Sequence, residues 1–384
     1  MRKKEFRENG RRRWFGLALR LGCIAVLLVP VGWQLYCLYL SQQVRLLALP
    51  PHFGNRPDNV RAASTEGAAD AAMGQAKPRE LKFLVAGDSQ SRGTFESLMD
   101  ELERLKPDFA VLLGDITRHA TEGDHQFLQL EMAEEMATDF PVFYVVGNHD
   151  IGPGFSLARW EQTYGPSQFW FVRGGTLFII VHITRDPAQA AAGIDFLEET
   201  LEAHASSADH IFVFNHVPPE FSAAYAHDPP AGQERLLDLL ARHGVNYFIA
   251  GHYHGYVRIE RGRTNFIVSG GGGASLRGGS LGFHHGMVFT VRPDAVEERI
   301  CVMPASLALE DRLESAAIAR SIPFIRKHPW AVGGADAGIL AVLCLLFIAS
   351  VRHVRRPGTS PGGGAAPEPA PEPVPDSAVS ADIT

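Results

Sequence analysis

The sequence predicts an α/β fold on two observations. Between residues 81 and 303, short apolar runs alternate with stretches of helical spacing, the pattern of strands interleaved with helices. Five of these runs also end alike: FLVAGDSQ (83–90), VLLGDITR (111–118), YVVGNHD (144–150), FVFNHVPP (212–219) and FIAGHYHG (248–255) stop on Asp, Asn, Gln or His. Loops at the carboxyl ends of buried strands are where such sheets hold ligands, so five polar strand ends predict one shared site.

Taken in order, LKFLVA opens the domain as a strand, TFESLMDELERLK follows as a helix, FAVLL as a strand, QFLQLEMAEEMATD as a helix and VFYVV as a strand. TLFIIVHI, HIFVFN, NYFIA, NFIVS and MVFTV are further strands, with helices at AQAAAGIDFLEETLEAH and ERLLDLLARHG. The later strands crowd together without helices, which predicts a second sheet of mixed or antiparallel strands. No internal repeat is visible.

The two ends are of another kind. The first twenty residues hold eight Lys/Arg, and the uncharged stretch LGCIAVLLVPVGWQLYCLYL follows. About twenty apolar residues span a bilayer, and the closing Trp and Tyr suit its interface. A cleaved leader is the alternative; the length of the stretch and the lack of a small-x-small site favour an uncleaved anchor. WAVGGADAGILAVLCLLFIASV (330–351), followed by RHVRR, predicts a second span, with Asp336 near enough its end to reach the interface. A helix lying on the membrane is the other reading of this segment.

The expected organisation is a basic cytoplasmic N-terminus (1–20), a transmembrane helix (21–41), a flexible tether (42–79) and the globular domain (80–303). A juxtamembrane helix or linker (304–328), a transmembrane helix (329–351), and a basic flank with a disordered Pro/Ala/acidic tail (352–384) complete it. With both basic flanks on one side, the domain lies on the non-cytoplasmic side. The expectation is an integral protein of the bacterial inner membrane facing the periplasm.

The chain carries 36 Lys+Arg against 43 Asp+Glu, a net charge of −7, and no basic stretch interleaved with aromatics in its middle. Nucleic acid is therefore not an expected partner, and a nuclease ranks last among the hydrolases considered. Cys23, Cys37 and Cys344 lie in the apolar ends and Cys301 alone falls in the domain, so no disulfide framework exists there. Nothing in the sequence identifies a protein partner.

Two carboxylates with several imidazoles and side-chain amides, and no thiolate, form a hard to borderline donor set suited to Mn or Fe, with Zn also accepted. Two divalent cations held this way favour an anionic substrate and activate water for attack at a phosphoryl centre. The ordered blocks GDSQ, GDITR, GNHD, NHVPP and GHYH resemble the calcineurin-like metallophosphoesterase superfamily. The resemblance runs from 87 to 255 and is specific as a combination. It implies an αββα sandwich: two mixed sheets face to face, flanked by helices.

Carried over by motif, the resemblance implies that Asp88 and His254 hold one metal, Asp115 bridges, and Asn148, His216 and His252 hold the second. His149 would not ligate; beside the phosphate it would stabilise charge or protonate the leaving oxygen, with Asp150 orienting it. The implied reaction is hydrolysis of a phosphate mono- or diester by a metal-bridging hydroxide. One block departs from the family: Gln90 stands where a histidine is usual, so it is expected to ligate through oxygen and bias that site towards Mn or Fe. Arg92, just beyond, is a candidate phosphate contact.

A membrane tether beside a phosphoesterase makes lipid-linked phosphates one expected substrate class and soluble periplasmic esters another. The alternative from a different class is a phospho-ligand receptor or scaffold with little turnover, which Gln90 alone supports. The glycine-rich SGGGGASLRGG (269–279) lacks the ending of a nucleotide loop and reads as a turn near the site. His284 and His285 read as loop histidines, and His119 and His182 have no motif support.

Overall fold

The central strands of the domain alternate between two apolar environments, and that alternation builds the layers. The computed structural model describes residues 2–64, 80–90, 95–136, 138–220, 228–277, 282–304 and 309–355. One sheet contains β1 (Leu81–Ala86), β2 (Phe109–Leu112) and β3 (Val142–Tyr144), parallel to one another. The other contains β4 (Phe169–Arg173), β5 (Thr176–Ile180), β6 (His210–Asn215), β7 (Tyr247–Ala250), β8 (Tyr256–Arg261) and β9 (Thr264–Ser269), in the order β4-β5-β6-β7-β9-β8. Here β5, β6, β7 and β9 run parallel, and β4 and β8 close the edges antiparallel.

Phe83 and Val85 of β1, Phe109 and Val111 of β2, Phe178 and Ile180 of β5, and Phe212 and Phe214 of β6 face into one buried layer between the sheets. Phe83 stacks on Phe109 and Phe289 with ring centroids 5.1 and 4.9 Å away, and meets Phe212 of the opposite sheet edge-on at 5.2 Å. Such offset and edge contacts suit aromatic quadrupoles. Intervening residues face outward under helices. Leu84, Leu112 and Tyr144 pack beneath α3 (Phe95–Leu105), α4 (Glu122–Glu135) and α5 (Leu157–Tyr164). Leu177, Ile179 and Val213 pack beneath α6 (Pro187–His204) and α7 (Gln233–Arg242). The result is helix, sheet, sheet, helix.

The late strands differ from the expected grouping. Only β8 and β9 join the second sheet, while β10 (His285–Arg292) returns to pair antiparallel with β1 and carries β11 (Ala295–Val302) outside it. Phe289 explains the choice, because beside β1 it completes the stack on Phe83.

The tether expected over 42–79 is ordered across 42–64. A helix runs from Arg2 to Leu46, and the chain then passes Phe53, fully buried and bridged to Val142, covering the free edge of β3. Asn55 locks this contact, donating to the Tyr144 and Pro166 carbonyls at 2.8 and 2.9 Å and accepting from the Tyr144 amide at 2.9 Å. A helix over Pro57–Ser64 follows. Composition conceals this because two anchoring residues, Phe53 and Asn55, suffice among many small ones.

Two helices, Trp14–Leu46 and Pro329–Arg352, are long and apolar enough to cross a membrane. One face of the last turns of the first packs on protein: Cys37 and Leu40 are buried with Phe127 and Leu130 of α4 and with Ala317, Ile318 and Ile322. The expected span over 21–41 thus overlaps, from Trp33 onward, a surface packed on the domain, where the Trp33 indole donates to Ser321 Oγ at 3.1 Å. Residues 309–327 form a broken helix with a π turn at Ala317–Ser321.

Candidate metal centre

The strand-end loops converge because their backbones turn sharply there. Among the described residues, positive φ outside glycine occurs at Asp88, Gln90, Lys106, Asp115 and His252. Four of the five are site candidates, and such strain concentrates where the surroundings enforce it for function. Gly114 shows why glycine precedes Asp115: at φ +90, an added Cβ would lie 2.7 Å from His216 Nδ1 and 2.8 Å from the Gly147 amide.

Asp88, Asp115 and His254 offer donor atoms within 4.8 Å of one another, and so do Asp115, His216 and His252; Asp115 belongs to both groups. Asn148 joins the second, its Oδ1 3.1 Å from His216 Nε2. Three imidazoles are aimed by the same device. His216, His254 and His149 donate from Nδ1 to the carbonyls of Leu113, Ser275 and Arg118, each at 2.9 Å. This leaves Nε2 of each with its lone pair turned inward. These atoms stand 3.3 Å from Asp115 Oδ1, 3.5 Å from Asp88 Oδ1 and 3.9 Å from Asp115 Oδ2 respectively. His252 is turned the other way, with Nδ1 3.2 Å from His216 Nε2.

The charge balance favours cations. Asp88 and Asp115 are 0% and 1% exposed, and the ion pairs they make among the described residues are with histidines alone. Burial drives the Asp88 carboxyl well above its usual range, with the Asp115 charge adding to it and the His216 charge opposing. Burial acts on Asp115 too, but the neighbouring His216 and His149 outweigh it and hold the group down. Burial would lower His216; the two carboxylates instead raise it. Two buried carboxylates of this kind are neutralised more fully by divalent cations than by the neighbouring imidazoles. The oxygen and nitrogen donor set fits divalent cations.

Asp150 differs from its expected part. Its carboxylate does not reach the His149 ring: Oδ2 accepts the Asp115 and Gly147 amides, both at 2.8 Å, and Oδ1 accepts the Thr117 amide and hydroxyl, both at 3.0 Å. The group that orients His149 is the Arg118 carbonyl, and Asp150 instead binds two ligand loops together. Gln90 is buried on the Asp88 loop, its main-chain N–H donating to the Asp115 carbonyl at 3.0 Å. Arg92 lies outside the described residues. His149 remains half exposed at the mouth.

Sequence reasoning passed over a sixth strand end. The run TLFIIVHI also stops at a histidine, His182, and continues to Arg185. Asn215 sews this loop to β6, accepting the Ile183 amide at 2.9 Å and donating to the Ile183 and Val217 carbonyls at 2.9 and 2.8 Å. Arg185 Nη2 then sits 2.6 Å from His252 Nε2. His182 is buried beside it, and burial, with the His216 charge, holds its pKa near 4.

Comparison with known proteins bears on this centre directly. Residues 81–256 match the family model described as calcineurin-like phosphoesterase. The chain is 28% identical over 203 residues to the mouse serine/threonine-protein phosphatase CPPED1, covering 47% of this chain and 65% of that one. For the bovine protein the identity is 27% over 193 residues, covering 44% and 61%. The chain therefore spans somewhat less than two thirds of the length of these relatives. Among solved structures it is similar to a dimetal phosphatase from Danio rerio (TM-score 0.45, 15% identity, 59% of this chain and 98% of that one). It is likewise similar to the yellow lupin purple acid phosphatase PPD1 (TM-score 0.44, 17% identity, 61% and 55%). The five motif blocks all lie within the matched segment, residues 81–256, which is the part of the chain that the calcineurin-like phosphoesterase description covers.

Proposed function

We propose that this protein hydrolyses phosphate esters in a metal-dependent reaction at a membrane face, with the domain on the non-cytoplasmic side. The observation that carries the reading is the pair of donor groups sharing Asp115, built from two buried carboxylates whose ion pairs, among the described residues, are with histidines alone. Asp88, Asp115 and His254, with Gln90 beside them, would hold one cation; Asp115, Asn148, His216 and His252 would hold the other. Bound there, divalent cations supply Lewis acidity and acidify water near neutral pH. Mn or Fe is favoured over Zn by the Gln90 oxygen.

The chain's own residues do the rest. Hydrolysis adds water across a P–O bond, its oxygen going to phosphorus while the leaving oxygen takes a proton. His149, oriented by the Arg118 carbonyl and half exposed above Asp115, is placed to donate that proton from Nε2 in its doubly protonated form. Asp150 fixes the Asp115 and Gly147 backbone, so the donors are set before substrate arrives. The relatives' name as protein phosphatases supports a phosphomonoester, and the two apolar helices support lipid-linked phosphates among the substrates.

The test is turnover of an aryl phosphate and of a bis-aryl phosphate by the full chain in detergent with Mn. His149→Ala is expected to lower kcat by about 10²- to 10⁴-fold with metal content retained. Tight phosphate binding without turnover by the native protein would instead establish the receptor reading. Protease protection in sealed vesicles checks orientation: shielding of the domain from protease added on the cytoplasmic side is the expected result.

A further inference from the structure

A cavity of about 210 Å³ adjoins the candidate metal centre. Asn148 and His216 line it together with Ile151 and Val217, and so do Arg185 and Asp186. The same space thus connects residues placed at the cations with an arginine one imidazole ring further out. Arg185 contacts the outer nitrogen of His252 at 2.6 Å and donates from Nε to the Asp228 carbonyl at 3.1 Å.

Its charge is available. Arg159, Arg173, Arg235, Arg242, Arg258 and Arg292 each pair with a carboxylate, whereas Arg185 makes no such pair among the described residues. The adjacent Asp186 is not its counterion: Oδ1 caps the 18-residue α6, accepting the Ala188 and Gln189 amides at 3.1 and 2.9 Å. A guanidinium so placed presents planar N–H donors to a carboxylate or phosphate. Held one ring beyond the cations, it is set apart from the phosphate that those cations would hold.

Resting on the hydrolase reading above, we propose that this groove takes the part of the substrate beyond the scissile phosphate and that Arg185 binds a second anionic group there. The substrates are then small phosphate esters or anhydrides that carry a further phosphate or carboxylate a few bonds from the first. The apolar wall of Ile151 and Val217 seats the connecting carbons, and Asn215, which sews the Arg185 loop to β6, fixes the span between the two anions.

The experiment is calorimetric titration of the Mn-loaded full chain in detergent with three non-hydrolysable three-carbon probes: propylphosphonate, 3-phosphonopropionate and propane-1,3-diphosphonate. The native protein is expected to bind at least one doubly anionic probe about tenfold or more tighter than propylphosphonate, as suits a charge-assisted hydrogen bond. Which of the two gains more tells carboxylate from phosphate. In Arg185→Gln the preference is expected to fall to about twofold or less, with Arg185→Lys in between. An unchanged melting temperature guards against a folding defect, and the exposed position of Arg185 makes one unexpected. Equal binding of all three probes by the native protein, or a preference that survives in Arg185→Gln, overturns the assignment and leaves the hydrolase reading standing. Failure of the native, Mn-loaded protein to bind any phosphonate overturns both.

Discussion

Asp150 and Asp115 are tied through the main chain: Asp150 Oδ2 accepts the Asp115 amide at 2.8 Å, while Asp115 Oδ1 accepts the amide of His149 at 2.7 Å. The two carboxylates therefore have different work. Asp115 is shared by both donor groups, and Asp150 holds the turn that presents it. In Asp150→Asn, whichever oxygen is replaced leaves an amide nitrogen facing backbone donors. The expected cost is about 1–3 kcal/mol of stability. Mn affinity is expected to fall about 10- to 100-fold, the usual penalty for losing a group that orients metal ligands. Thermal melting and Mn titration measure the two, and a variant with native Mn affinity would remove Asp150 from this positioning role.

Gln90 offers a second test. It is 7% exposed, sits at φ +48 on the loop of Asp88, and replaces the imidazole usual at this point of the motif. An amide oxygen is a poorer donor to Zn than an imidazole nitrogen. Gln90→His is expected to raise Zn affinity by about tenfold or more with a smaller effect on Mn, since one added nitrogen ligand exceeds the 1.4 kcal/mol that a tenfold change requires. Competition titrations with a metal indicator report both constants. Equal affinities in native and variant protein would place Gln90 outside the coordination sphere.

Most of the site is legible in the sequence because its residues follow buried strands directly, where register and period 2 leave little freedom. Asp88, Asp115, Asn148 and His216 sit within one to four residues of the strand that delivers them. Asp150 was harder to assign because its role depends on which donors surround it, and those come from a different strand end. Arg185 escapes a motif-based reading altogether, since its placement depends on Asn215 bonding Ile183 across two strands. The fold was similarly legible in its alternating core and illegible at residues 53–55, where one Phe and one Asn anchor a segment without periodicity.

Stability should also depend on pH through Glu314. This residue is 6% exposed, and burial, with the charges of Glu134 on α4 and of Glu310 and Asp311 on its own helix, pushes its pKa up to about 7. Glu131 lies in the same cluster, and the Tyr36 hydroxyl donates to Glu314 at 3.5 Å. A carboxyl raised in the folded state favours the protonated form. Its contribution is present below the unfolded value of about 4.3 and is lost as pH rises towards 7. The melting temperature is expected to fall between about pH 5 and 8, and Glu314→Gln, neutral throughout, should flatten that fall. Parallel melting curves for native and variant protein across this range would exclude Glu314 as the source.

The first apolar helix should stabilise the domain. From Trp33 its turns bury Cys37 and Leu40 against Phe127 and Leu130 of α4 and against Ile318 and Ile322. On α4, two residues before Phe127, His125 bonds the Asp150 carbonyl at 2.7 Å and the Tyr164 hydroxyl at 2.9 Å. The helix that receives the anchor is thus the one that supports the turn carrying Asp150. A chain beginning at Ala48 would leave Phe127, Leu130, Ile318 and Ile322 uncovered. Loss of that packing is expected to cost about 2–5 kcal/mol, or about 5–15 °C in melting temperature. Because α4 also steadies the Asp150 turn, Mn affinity should weaken in the same protein, whereas Leu40→Ala in the full chain should show a smaller fall in melting temperature with Mn affinity nearly kept. Calorimetry of the three proteins in one detergent decides the matter: equal melting temperatures for the shortened and full chains would mean that this helix adds nothing to the stability of the domain.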